Sequence, residues 1–128
     1  AMIQLDLRGN KSIYEQIIDK FKELIMRGTM KQGDKMPSVR ELSRTLGVNP
    51  NTIQKAYREL ERQGYIYTAA GVGTFVADKK DITPDDEELK KARAAVGEAF
   101  SQLLFLGLDY DKAYSIVIEI MKERKKDL

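Results

Sequence analysis

The chain of 128 residues contains no cysteine and no histidine. That removes disulfides, thiol nucleophiles, zinc sites of the Cys/His type and imidazole acid–base chemistry together. The lack of cysteine fits a reducing compartment, and a cytoplasmic location is expected. No apolar run approaches the roughly 20 residues that a membrane-spanning helix needs, so no membrane partner is expected. The first residues alternate polar and apolar, unlike the apolar core of a signal peptide. Charge of either sign is nearly balanced, with 22 Lys and Arg against 20 Asp and Glu, a net charge of +2. A total that small neither supports nor excludes nucleic acid, so the placement of the bases decides. Residues 1–78 hold 12 basic and 9 acidic side chains, and residues 79–128 hold 10 and 11. The N-terminal part is therefore the mildly basic one.

An enzymatic reading finds little to build on. Without His or Cys, a nucleophile and base must come from Ser, Lys, Tyr and the acids, and nothing clusters them. Gly71-Val72-Gly73 is a fragment of a glycine-rich loop, but no strand–loop–helix surrounds it. No enzyme activity, cofactor or metal is expected. A 42% apolar composition does predict a packed core, in one ordinary domain or two small ones.

The elements follow from periodicity and capping. Residues 3–8 alternate apolar and polar, which predicts a short half-buried strand or an extended arm. Ser12 and Glu15 have capping-box spacing and open a first helix with Tyr14, Ile17, Ile18, Phe21, Leu24 and Ile25 at helical intervals, stopped at Gly28. Ser38 and Glu41 repeat the device for a short second helix, with Val39, Leu42 and Leu46 on one face and Arg40 and Arg44 on another. Gly47 ends it. Asn49 is the next N-cap, and Pro50 takes the first helical position, where its missing N–H costs nothing. Ile53, Ala56, Tyr57 and Leu60 form the buried stripe of this third helix, and Gly64 closes it. Two β-prone runs around Ala69-Ala70-Gly71-Val72-Gly73 then predict a hairpin over 65–76. The whole is mainly α with a small β wing: a winged helix-turn-helix followed by a two-helix dimerisation tail.

In a helix-turn-helix the start of the second helix of the pair meets base edges in the major groove. Here that helix is 50–63, and the expected DNA-binding residues are Ser38, Arg40, Arg44, Asn49, Asn51, Thr52, Gln54, Lys55, Arg58 and Gly71. Asn51 and Gln54 can offer paired donor and acceptor groups to an adenine edge or bridge through water, and Thr52 can bond base or phosphate. Lys55 and Arg58 lie further along, toward phosphate. Arg40 can reach a guanine edge or a phosphate, or else pair with Glu41, Glu59 or Glu61. Gly71 and Gly73 either let the wing backbone approach the minor groove or serve only as turn glycines.

The expected domains are 2–77 for the DNA-binding part, 78–84 for a linker and 85–128 for the tail. Thr83 is expected to cap the fourth helix, with Pro84 at its first position and acids near the positive end of its dipole. Asp109 caps the fifth. The expected dimerisation residues are Leu89, Val96, Phe100, Leu103, Leu104, Ile116, Val117, Ile120 and Met121. Each helix carries an apolar face too wide for one partner, and so short a unit is marginal alone. A homodimer solves both, although the tail can also fold back on its own DNA-binding part.

Residues to about 76 resemble the GntR family of bacterial transcription regulators. The resemblance rests on Ile13-Tyr14-Glu15-Gln16-Ile17, on Gly33-Asp34-Lys35-Met36-Pro37-Ser38-Val39-Arg40-Glu41-Leu42, on Gly47-Val48-Asn49-Pro50-Asn51-Thr52, on Lys55-Ala56-Tyr57-Arg58-Glu59-Leu60-Glu61 and on Gly71-Val72-Gly73-Thr74-Phe75-Val76. The Asn-Pro-Asn-Thr start and the short tail are similar to the YtrA subfamily. The resemblance implies a dimeric regulator on a roughly palindromic double-stranded DNA operator, and a repressor is expected. It implies contacts from Arg40, from Asn49, Asn51, Thr52 and Gln54, and from the wing near Gly71. Many relatives carry arginine where this chain has Pro50 and Gln54, and basic wing tips where it has Ala69-Ala70. Both departures imply fewer phosphate contacts and a shallower salt dependence.

Two other functions fit the same residues. One is a winged-helix protein-interaction module that binds no DNA. The other is a sensor with a small-molecule site in the tail, near Tyr110 and Tyr114, whose effector is unknown.

Overall fold

The computed structural model describes residues 3–127; Met2 and Leu128, the outer limits of the two expected domains, lie outside the described residues. The chain divides between Thr83 and Pro84 into two compact units.

The first unit holds three helices: α1 (Ile13–Met26), α2 (Val39–Leu46) and α3 (Pro50–Arg62). Two strands follow, β1 (Ile66–Ala69) and β2 (Gly73–Val76). Local chemistry sets their ends. Ser12 Oγ accepts the Glu15 N–H at 3.1 Å. In return the Ser12 hydroxyl donates to the Glu15 carboxylate at 3.2 Å. The core is centred on Ile17, Phe21, Ile25, Ile53, Leu60 and Val76, all essentially without solvent exposure. Burying side chains of this size contributes roughly 1.5–3 kcal/mol each. The Phe21 and Tyr57 rings meet edge to face with their centroids 5.8 Å apart, which packs α1 against α3.

β1 and β2 pair antiparallel, with Ile66 opposite Val76 and Ala69 opposite Gly73. A third extended stretch joins the outer edge of β2. Lys35 bridges to Phe75, Met36 N donates to Thr74 O at 2.7 Å and Val76 N to Asp34 O at 2.9 Å. The expected hairpin is thus backed by the segment preceding α2.

Residues 3–8 form an arm without a strand. Ile3 is buried, and Gln16 occupies both backbone groups of Asp6, accepting its N–H at 2.6 Å and donating to its carbonyl at 2.7 Å. A side chain, not a neighbouring strand, satisfies this backbone.

The second unit contains α4 (Asp86–Phe105) and α5 (Tyr110–Lys125). Asp85, not Thr83, caps α4: its carboxylate accepts the Glu87 N–H at 3.0 Å. Thr83 is engaged elsewhere, its N–H donating to Gln63 O at 2.8 Å. Asp109 caps α5 through the Lys112 N–H at 2.9 Å. Ala113 is the one residue of α4 and α5 that is buried.

Candidate nucleic-acid interface

The turn between α2 and α3 is built from short local hydrogen bonds. Ser38 Oγ accepts the Glu41 N–H at 3.0 Å and starts α2. Gly47 ends it in the left-handed conformation, φ +65°, which a side chain would strain. The Ser43 hydroxyl then donates to Val48 O at 2.6 Å, and Asn49 Oδ1 accepts the Asn51 N–H at 2.8 Å. Two side chains therefore hold the entry to α3, and leave Asn49, Pro50 and Asn51 exposed at its start.

With 3.6 residues per turn, the buried Ile53, Ala56, Tyr57 and Leu60 place Asn51, Lys55 and Arg58 on the opposite side of α3. Asn49, Asn51, Gln54, Lys55 and Arg58 are exposed, and Thr52 is half-buried on the flank facing α1. Ser38, Arg40, Arg44 and Gly71 are exposed as well. Among the described residues no ion pair involves Arg40, Arg44, Lys55 or Arg58. Two of the three acids named as rivals for Arg40 are engaged elsewhere: Arg62 Nε donates to both Glu59 oxygens, at 2.7 and 3.0 Å, and Glu61 accepts the Thr68 hydroxyl at 2.7 Å. That last bond also ties α3 to the wing. At the wing tip Gly71 has φ +76° with open space around it.

Tyr57 links this surface to the core. Its hydroxyl donates to Pro37 O at 2.7 Å, directly before the α2 cap. Burial pushes the phenol's pKa up, and the Glu41 carboxylate adds to the shift, so the group stays a neutral donor. Tyr57→Phe should cost about 1–3 kcal/mol, because the Pro37 carbonyl loses its donor, and should loosen the start of α2. A urea titration reads the first effect; an unchanged midpoint would show that the bond is unimportant.

Sequence reasoning missed Tyr14 and Lys35. Tyr14 lines an open recess of about 580 Å³ beside Thr52, Lys55 and Arg58. In the sequence it is only one more position on an apolar stripe. Lys35 lies in what the sequence presents as a connecting turn, with no signal that it joins the wing.

In the tail, Leu89, Val96, Leu104, Ile120 and Met121 are exposed. Phe100, Leu103, Ile116 and Val117 are half-buried. Phe105 and Leu106, absent from the expected set, are 85% and 79% exposed. Tyr110 stacks on Tyr114 at 6.4 Å and meets Phe100 at 5.3 Å. No helix among the described residues is long and apolar enough to cross a membrane.

Residues 13–76 match the family described as bacterial regulatory proteins, gntR family. Over 124 residues the chain is 40% identical to the HTH-type transcriptional repressor YtrA of Bacillus subtilis (strain 168), covering 97% of this chain and 95% of that protein. A transcriptional antiterminator from Listeria monocytogenes EGD-e has the same fold, with a TM-score of 0.74, 37% identity, and coverage of 94% of this chain and 90% of that one. The AraR DNA-binding domain, solved in complex with operator ORX1, aligns with a TM-score of 0.51 and 32% identity over 59% of this chain and 96% of its own.

Proposed function

This chain belongs to the gntR family of bacterial regulatory proteins, on its YtrA-like branch, and is a DNA-binding transcription regulator; we propose that it acts in the cytoplasm as a dimeric repressor on a palindromic operator. Residues 2–77 hold the DNA, 78–84 form the linker and 85–128 pair two copies. The observation that carries this reading is the set of exposed polar side chains at the start of α3 beside the unpaired cations of α2.

With α3 in the major groove, Asn51 and Gln54 read base edges and Thr52 bonds base or phosphate. Arg40 reaches guanine or phosphate from α2. Arg44, Lys55 and Arg58 follow the phosphates, and the two caps, Ser38 and Asn49, lie beside the same path. Gly71 brings the wing backbone to the minor groove. The exposed apolar side chains of α4 and α5 support pairing: two tails make a four-helix arrangement with one core. The pair sets the recognition helices about 34–36 Å apart, one turn of DNA. A repressor named YtrA as a relative supports the sign of regulation.

Selection of bound duplexes from a random pool, followed by mobility shifts, tests the reading. Arg40→Ala and Asn51→Ala should each cost about 1–3 kcal/mol of operator binding and leave the dimer intact in sedimentation. No shift by the wild-type protein at low salt would overturn it.

A further inference from the structure

The hairpin tip, Ala69-Ala70-Gly71-Val72, carries no charge of its own. A wing that approaches DNA with an uncharged tip leaves the nearest phosphates without a cation. The structure supplies one from another segment. Lys35 sits on the extended stretch that edges β2, bridged to Phe75. Its stem runs back across the wing toward the tip. A Cβ at Gly73 would lie 2.8 Å from Lys35 Cε and 3.6 Å from Nζ, so the lysine stem lies close over the bare glycine.

Lys35 is exposed, and no ion pair among the described residues involves it. It lines an open groove of about 630 Å³ whose walls are Val72 and Gly73 on the wing and Ser38 and Val39 at the start of α2. Both walls thus carry or adjoin groups proposed above to meet DNA. One carboxylate, Glu41, lines the same groove. Asp34, next to Lys35, is turned to the Lys31 N–H, which its side chain accepts at 2.8 Å. A lysine laid along a surface with its head at the rim is a common way to place a charge without burying it.

We infer that Lys35 is the wing's phosphate-binding cation: its ammonium pairs with a DNA phosphate between the wing tip and the start of α2. The inference rests on the DNA-binding reading and deepens it. Lys35 gives the wing one phosphate contact that Ala69-Ala70 cannot supply. The contact carries no sequence information and acts equally on any duplex.

The test is the salt dependence of binding by the full chain, on a selected palindromic duplex and on a scrambled duplex of the same composition. Each neutralised phosphate contributes about 0.9 to the slope of log K against log salt. Lys35→Met keeps the stem and removes the charge. Its slope should be shallower by about 0.9 on both duplexes, so between 50 and 200 mM salt its affinity falls ~3.5-fold less than the wild type's. Lys35→Arg should restore the slope, and Lys112→Met, the same loss of charge in the tail, should leave it unchanged. An unaltered slope in Lys35→Met overturns the inference. So does a loss that arginine does not restore, or an equal change in Lys112→Met. A wild-type protein that binds neither duplex removes the DNA-binding reading itself, which is a distinguishable failure.

Discussion

Val96→Asp combined with Ile120→Asp should yield a folded monomer whose apparent operator affinity is lower by roughly 10²–10⁴, the usual gain from linking two binding modules. Both side chains are exposed on the single chain, 65% and 45%. The substitutions therefore remove little packing within one copy, and circular dichroism should show the helices of the DNA-binding unit kept, with any loss confined to the tail, which is marginal without its partner. In a dimer the same positions enter a shared apolar core. Two chains would bring four carboxylates into it, and an unpaired charge in such a place is strongly unfavourable. Sedimentation reads the mass and mobility shifts read the affinity. Half-site binding should survive, because Arg40, Asn51 and the wing lie in the other unit. A variant that stays dimeric would place the interface elsewhere. A monomer with wild-type affinity would show that pairing contributes nothing to operator binding.

What was legible in the sequence was what is decided within a few residues. Ser38 and Asn49 cap their helices because a side-chain oxygen reaches an N–H two or three positions on, and that spacing is visible in the chain. Gly47 and Gly64 end helices in left-handed conformations that other residues avoid. The buried stripe of α3 follows from its 3.6-residue period. Whatever depends on a distant neighbour was not legible. Lys35 meets Phe75 across 40 positions, and Tyr14 lies beside Lys55 only because α1 packs on α3. The arm at 3–8 alternates like a strand, yet alternation cannot say whether another strand is there to pair with it. Thr83 and Asp85 are both good caps; a hydrogen bond to Gln63 holds the first in the preceding unit and leaves the second to start α4. The tail's apolar faces were visible, but Phe105 and Leu106 were not expected as part of them, because they fall at the turn where helical periodicity stops.

Gly64→Ala should destabilise the first unit by more than the same substitution at a glycine of positive φ with open space around it. Gly64 has φ +85°, and Gly28 and Gly71 are similar at +78° and +76°. A side chain in that region costs roughly 1–2 kcal/mol wherever it occurs. The three differ in their surroundings. An added Cβ at Gly28 or Gly71 meets nothing within 4 Å, whereas at Gly64 it would fall 1.9 Å from Asp81 O and 2.7 Å from Asp81 C. Those are backbone atoms, and they belong to a short 3₁₀ turn, Lys79–Asp81, that lies across the end of α3. The turn is held on both sides, by Ala77 N to Tyr65 O at 3.0 Å and by Thr83 N to Gln63 O at 2.8 Å. It cannot give way without breaking at least one of these bonds, so Gly64→Ala should cost roughly 1–3 kcal/mol beyond Gly28→Ala. Urea midpoints of the three variants measure that difference, with the shared cost of positive φ cancelling. If Gly64→Ala and Gly28→Ala unfold together, the strap yields freely. If they differ as expected, the linker is held against the end of the recognition helix over 78–83 and is not a flexible tether there.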